Sequence, residues 1–291
     1  MGGWHSGNGV GRSAGFFSMR GVASDLIYFL HIPKTSGTSV HQVLQRVYGG
    51  KAASPPLLWD HLLARGYLIN ARTKVVTGHF GGLLPLWIKS LPRVITMLRE
   101  PLARALSHIN HVQREPLHPL HHLARGLSIV EYCGHPVLRR TVANFQSRYL
   151  ASWSFSAALL QASREDALAK GDASVRFESA LYDLDENYGL CDAAIRALNG
   201  FDAVGLCESH QASMQLFGAV LRWRAGVIRA PQLNTRASGQ PDLQRLSAEE
   251  LAALRGLNGV DEAVYRHACT LFADACRRRG VGLDADVRAA A

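Results

Sequence analysis

A chain of 291 residues that is 47% hydrophobic and 19% charged can bury one substantial core, which excludes a disordered or fibrous protein. The formal charge of +9 calls for a negatively charged partner, yet the arginines are scattered singly and no zinc-finger spacing or RNA-recognition aromatic motif accompanies them, so nucleic acid is not the expected partner. Five cysteines with no paired spacing argue against a disulfide framework or zinc ribbon, and the lack of an 18-residue apolar stretch argues against a membrane span.

Residues 1–24 are rich in Gly and Ser and read as a flexible tail. Four apolar, β-rich runs follow, at 26–30, 74–77, 94–98 and 203–207, each succeeded by polar loop residues and a helical pattern. That alternation predicts an α/β domain over 25–280, a P-loop-like parallel sheet flanked by helices, with 281–291 as a C-terminal tail.

After the first run stands HIPKTSGTS, residues 31–39, and then a helix starting at Thr38 or Ser39, with Val40, Val43, Leu44 and Val47 on one face and a stop at Gly49-Gly50. After the second comes VTGHFGG, whose glycines imply a constrained turn around His79. After the third comes REPLARALSH, in which Pro101 opens a helix with Leu102, Leu106 and Ile109 on one face. Residues 114–179 are looser, with prolines, histidines and a helical piece at 157–168. After the fourth run, Ser209 or Ser213 opens a helix carrying Met214, Leu216, Phe217, Val220 and Leu221. Residues 231–241 read as a surface loop. A final helix pair is capped by Ser247 with Glu250 in its first turn, and continues through Val264, Ala268, Leu271 and Phe272.

Lys34, His79 and Arg99 each fall just beyond the C-terminal end of a predicted strand, the edge at which open parallel sheets bind ligands. The N–H groups of Thr35, Ser36, Gly37, Thr38 and Ser39 at a helix start suit a phosphate, and Gly37 permits close approach. Lys34 precedes Gly37, the reverse of the order in the ATP-binding loop. It is also a choice against composition, since the chain has 5 lysines and 27 arginines. Arg99 can bind a phosphate through two charge-assisted bonds, with Ser107 on the following helix as a further donor. His79 can act as a base near neutral pH, or cap a turn or pack in the core. Arg104 reads as a surface or intra-helix pair. His108, His111, His118, His121, His122 and His135 read as an acceptor-facing or solvated cluster, since no Cys or carboxylate completes a metal-ligand spacing.

The loop at 31–39 resembles the 5′-phosphosulfate loop of sulfotransferases, and REPLARALSH resembles their 3′-phosphate motif. The spelling is closest to that of the heparan sulfate 2-O-sulfotransferase-like carbohydrate sulfotransferases. NFQSRYL at 144–150, VGLCESHQASMQLF at 204–217 and LNTR at 233–236 extend the resemblance from about residue 25 to 280. It implies a sulfotransferase-type three-layer sandwich and 3′-phosphoadenosine 5′-phosphosulfate, PAPS, as co-substrate, with no metal required. Lys34 and residues 35–39 would hold the 5′-phosphosulfate, Arg99 and Ser107 the 3′-phosphate, and His79 would take the proton from a hydroxyl of a carbohydrate or glycoconjugate acceptor. Arg236 would lie near the nucleotide. Animal members of this family carry a membrane anchor and work in the Golgi; here a soluble, cytoplasmic enzyme of bacterial type is the expectation. Two other readings stay open: a small-molecule kinase with an atypical phosphate loop, for which Glu100 is the candidate Mg²⁺-holding acid, and a non-catalytic module that binds nucleotides or acidic glycans.

Overall fold

The computed structural model describes residues 25–57, 69, 72–82, 84–85, 91–154, 189–224 and 243–283. The expected tail at 1–24, the helical piece at 157–168, the loop at 231–241 with Arg236, and residues 284–291 lie outside the described residues.

The strands β1 (Ile27–Leu30), β2 (Ala53–Leu57), β3 (Val75–Gly78), β4 (Arg93–Leu98) and β5 (Ala203–Leu206) form one sheet in the order β2-β3-β1-β4-β5. Every pairing is parallel. Four of these strands are the predicted runs. β1, β3 and β5 are buried along their whole length, and β4 nearly so, which is why they read as unbroken apolar stretches without alternation. β2 was not expected, because Ala-Ser-Pro-Pro-Leu carries two residues without an N–H. Its place at the sheet edge tolerates them. The register shifts between Ala53 and Pro56, and the Ser54 hydroxyl accepts from the Thr77 N–H at 3.1 Å.

The helices are α1 (Gly37–Tyr48), α2 (Pro101–Arg114), α3 (His121–Ala124), α4 (Ile129–Gly134), α5 (Phe145–Ala151), α6 (Leu190–Gly200), α7 (His210–Leu221), α8 (Ala248–Gly256) and α9 (Gly259–Arg279). α1 buries Val40, Val43 and Leu44 against the sheet and ends at Gly49, whose φ of 80° and ψ of 151° are a conformation that glycine alone adopts without strain. α2 begins at Pro101, as the sequence predicts, and α8 opens with the Ser247–Glu250 capping box. α1 packs on β2 and β3, while α7 and α9 pack on β5. The result is a three-layer α/β sandwich around a core that includes Tyr28, Phe29, Leu30, Ile95 and Phe217. A second apolar cluster joins α2, α4 and α8 through Leu102, Ile109, Tyr132 and Leu254.

α5 and α9 cap each other. The Asn144 side-chain oxygen accepts from the Val260 and Asp261 N–H groups at 3.0 and 3.2 Å. In return the buried Asp261 carboxylate accepts from the N–H groups of Gln146 and Ser147 and from the Ser147 hydroxyl. Each acid or amide thus satisfies donors that a helix start leaves without intrahelical partners. No helix among the described residues is long and apolar enough to cross a membrane, and all five cysteines are free.

Candidate functional site

From β1 the chain moves to β2 and β3 on one side of the sheet, and from β4 to β5 on the other, so the connection reverses direction between β1 and β4. A crevice at the C-terminal ends of those two strands is where this topology binds ligands. The loop after β1 and the residues after β4 meet there: Arg99 Nη1 donates to the Lys34 carbonyl oxygen at 3.4 Å.

The loop has the backbone of an anion nest. Lys34 and Ser36 both lie in the left-handed region, at φ 73° and 60°, flanking Thr35. Alternation of this kind turns successive N–H groups toward one concavity. Non-glycine residues adopt this conformation at a cost of about 1–3 kcal/mol each, a strain characteristic of ligand clamps. Thr35 is fully buried and its hydroxyl donates to the Ile32 carbonyl at 2.7 Å, which ties the turn to the end of β1. The N–H groups of Ser39 and Val40 donate back to Ser36, so those of Gly37 and Thr38 precede the first helical bonds. The Ser36 side chain is hydrogen-bonded to the Cys207 thiol beyond β5, and burial holds that thiol far above its usual range. Gly37 is required by a neighbour: a Cβ there would sit 1.7 Å from the His31 ring.

Burial lowers the Lys34 pKa, and the cationic Arg99 and Arg104 lower it further. The loop therefore gathers positive charge faster than the described residues around it compensate, the condition under which a bound anion is favoured.

Arg99 is held by its backbone. Its N–H donates to the Gln146 side-chain oxygen at 3.0 Å and its carbonyl accepts from the Gln146 amide nitrogen at 2.8 Å. Gln146, 1% exposed, thus continues the sheet ladder past β4, and its own N–H is fixed by Asp261. The guanidinium, with Nη1 on the Lys34 carbonyl, is thus carried on a rigid stem.

Arg104 corrects the sequence reading. It is fully buried, not on the surface: its Nε donates to the Pro33 carbonyl at 3.2 Å, its Nη1 to the Thr141 carbonyl at 3.0 Å, and its guanidinium lies 3.7 Å over the Phe145 ring. Its intra-helix partner would have been Glu100, but that carboxylate caps α2, accepting from the N–H groups of Leu102 at 3.1 Å and Ala103 at 2.6 Å. Ser107 is half-buried one turn further along the face of α2 that carries Arg104.

His79 follows β3, and its Nδ1 lies 2.7 Å from the His31 carbonyl oxygen. A carbonyl only accepts, so Nδ1 carries the proton and the neutral ring keeps its lone pair on Nε2. The His31 and His79 rings are 4.4 Å apart, and the far edge of His31 abuts Gly37. His31 therefore bridges His79 and the loop at 31–39, a role the sequence reading did not assign. Burial lowers the His79 pKa, partly opposed by the bond to His31. The turn is fixed at Gly82, whose N–H donates to the Ser152 hydroxyl at 2.8 Å and where a Cβ would meet the Ser152 carbonyl at 2.4 Å.

On the other side of Arg99, Glu100, Tyr265, Glu262, Arg255 and Arg266 line a cleft of about 240 Å³. Burial raises the Glu100 pKa, with Glu208 and Glu262 adding to it against the capping bonds, and the cleft carries both signs of charge, since Arg255 and Arg266 line it with Glu100 and Glu262. No group of three His, Cys, Asp or Glu side chains among the described residues is arranged to hold a metal ion. Within the histidine cluster, His108 is buried and His111 exposed. No protein-family model and no curated protein matches this chain.

Proposed function

We propose that this protein is a PAPS-dependent O-sulfotransferase that moves a sulfuryl group to a hydroxyl of a carbohydrate or glycoconjugate acceptor. The observation that carries the reading is the junction of Lys34 and Arg99 at the reversal point of the sheet, with the left-handed loop residues on one side and the Gln146-held arginine on the other. Two separate basic groups on one edge fit a ligand with two separate anionic ends, and a 3′,5′-bisphosphorylated nucleotide is such a ligand.

PAPS, when bound, supplies the activated sulfuryl group. The Lys34 ammonium and the loop N–H groups neutralise charge that collects on the leaving phosphate oxygens, where preorganised donors act most strongly. Arg99 and Ser107 hold the 3′-phosphate. His79 accepts the acceptor proton at Nε2 while the His31 carbonyl holds the proton on Nδ1. Catalysis of a loose, in-line transfer is then positioning and charge neutralisation.

In the kinase alternative Glu100 would have to hold Mg²⁺ through oxygens that also accept from the Leu102 and Ala103 N–H groups at the start of α2. The test is calorimetric binding of adenosine 3′,5′-bisphosphate against ADP. A preference for the bisphosphate of about tenfold or more, lost in Arg99→Ala, is expected from the worth of one charge-assisted phosphate contact. Equal or tighter binding of ADP would refute the sulfotransferase reading and favour a kinase.

A further inference from the structure

The loop at 31–39 folds back on its own first residue. Left-handed backbone at Lys34 and Ser36 turns the chain, the Thr35 hydroxyl ties it to the Ile32 carbonyl, and Gly37 arrives against the His31 ring. The contact is made through one edge of the imidazole: a Cβ on Gly37 would stand 1.7 Å from Nε2, 2.0 Å from Cδ2 and 2.3 Å from Cε1. Gly37 is the first residue of α1, and a helical Cα–Cβ bond tilts toward the helix N-terminus. The Nε2 edge of His31 therefore flanks the mouth of α1, beside the Gly37 and Thr38 N–H groups that precede the first helical bonds.

The ring is fixed in that place. The His31 backbone N–H donates to the Gly78 carbonyl at 3.1 Å, which continues the pairing of β1 with β3. Its ring lies 5.5 Å from that of Phe29, at 12° to it, and 4.4 Å from that of His79. What the ring lacks is a hydrogen bond among the described residues. His41, His108 and His210 lack one too, but both nitrogens of each are closed off from solvent, whereas His31 is half-buried and its edge meets the loop. Burial, with His79, His41 and Lys34 acting in the same direction, holds the His31 pKa well below the usual imidazole range, so the ring is neutral and carries one N–H. A phosphate dianion only accepts hydrogen bonds, so its arrival in the loop selects the tautomer with that proton on Nε2.

We propose that the His31 Nε2–H donates to the anion bound in the loop at 31–39, so that one residue grips the ligand with its ring and the base His79 with its carbonyl. This rests on the sulfotransferase reading above and deepens it. The group contacted is an oxygen of the nucleotide 5′-phosphate, and the stacking of His31 on His79 sets the spacing between that end of the nucleotide and the base. No proton changes hands at His31; the ring donates a hydrogen bond and stays neutral.

The experiment is calorimetry of adenosine 3′,5′-bisphosphate and of ADP, which share the 5′-phosphate, on wild type, His31→Phe and His31→Gln, with the urea midpoint of each variant as a control for folding. Phe keeps a ring against Phe29 and His79 and removes the donor, while Gln restores an N–H at the reach of Nε2. His31→Phe is expected to weaken both nucleotides by about tenfold or more, the worth of a hydrogen bond to a charged group, and His31→Gln by under about threefold. In wild type carrying ¹⁵N-labelled histidine, saturation with the bisphosphate is expected to fix the His31 ring, assigned by its absence from His31→Gln, as the Nε2–H tautomer. If His31→Phe does not fold, those ring signals decide. Wild-type affinity in His31→Phe, equal losses in the two variants, or ring signals that the nucleotide leaves unchanged overturn the contact, and the sulfotransferase reading stands if the bisphosphate is still preferred over ADP. Loss in His31→Phe and rescue in His31→Gln without that preference keep the contact and remove the reading. Binding of neither nucleotide overturns both.

Discussion

Lys34 and His79 have different duties in the proposed reaction, and substitution separates them. Lys34 acts mainly as the leaving group gains charge, so Lys34→Ala is expected to lower kcat by about 10²–10³ while bisphosphate affinity falls by less than about tenfold. Losses of equal size in both would contradict that division. His79 must be neutral to accept a proton, and burial has moved its pKa below 6.5. The acid limb of kcat/KM is therefore expected below pH 6.5, and a limb at or above neutrality would remove His79 as the base. At this scale the sequence was informative for charged residues just beyond strands and silent for the buried arginine on a helix. Lys34 and Arg99 announce themselves at strand ends. Arg104 does not, because its burial depends on Phe145 and Thr141, which arrive from elsewhere in the chain, and because Glu100, its obvious neighbour, is drawn into capping. Gln146 lay inside a recognised segment, but an amide that imitates a strand has no local signature.

Among the elements, the reciprocal caps of α5 and α9 join the site to the C-terminal part of the fold. Asp261→Ala removes the acceptor for three donors at the start of α5 while leaving them buried, which is expected to cost about 2–4 kcal/mol in urea unfolding. Bisphosphate binding should weaken along with it, since Gln146 is the residue through which α5 holds Arg99. A variant of unchanged stability would show that the caps are redundant. The predicted elements were legible where hydrophobic period and stop signals agreed: four strands, α1 with its Gly49 stop, α2 with Pro101 and α8 with its capping box all follow local rules. β2 did not, because two prolines argue against a strand unless one knows that it sits at the edge, and edge position is a property of the sheet rather than of the five residues.

At the scale of the whole molecule, seven histidines among the described residues share one displacement. His31, His41, His79, His108, His111, His118 and His210 all have pKa values lowered in the fold, with burial the leading cause in each. The unfolded chain therefore binds more protons than the folded one once pH drops below about 6.5, and stability must fall with pH from there downward, by up to about 1.4 kcal/mol per pH unit for a buried ring such as His108 and by much less for His111 and His118, which solvent screens. Urea midpoints measured between pH 7.5 and 5.5 are expected to fall steeply over the lower half of that range. A flat profile would mean that these rings are charged in the fold.

The bonds between Gln146 and Arg99 also order events in time. During synthesis the loop of Lys34 and then Arg99 leave the ribosome early, and the loop's own bonds, Thr35 to Ile32 and Ser39 and Val40 to Ser36, are all local. Arg99 gains its backbone partner only when Gln146 docks, and the helix that carries Gln146 is capped only after Asp261 has emerged. Distant contacts of this kind form late. A nascent or prematurely terminated chain therefore carries the whole loop at 31–39 without the grip on Arg99 that completes the edge, and in the proposed reaction nucleotide capture would have to wait for α9.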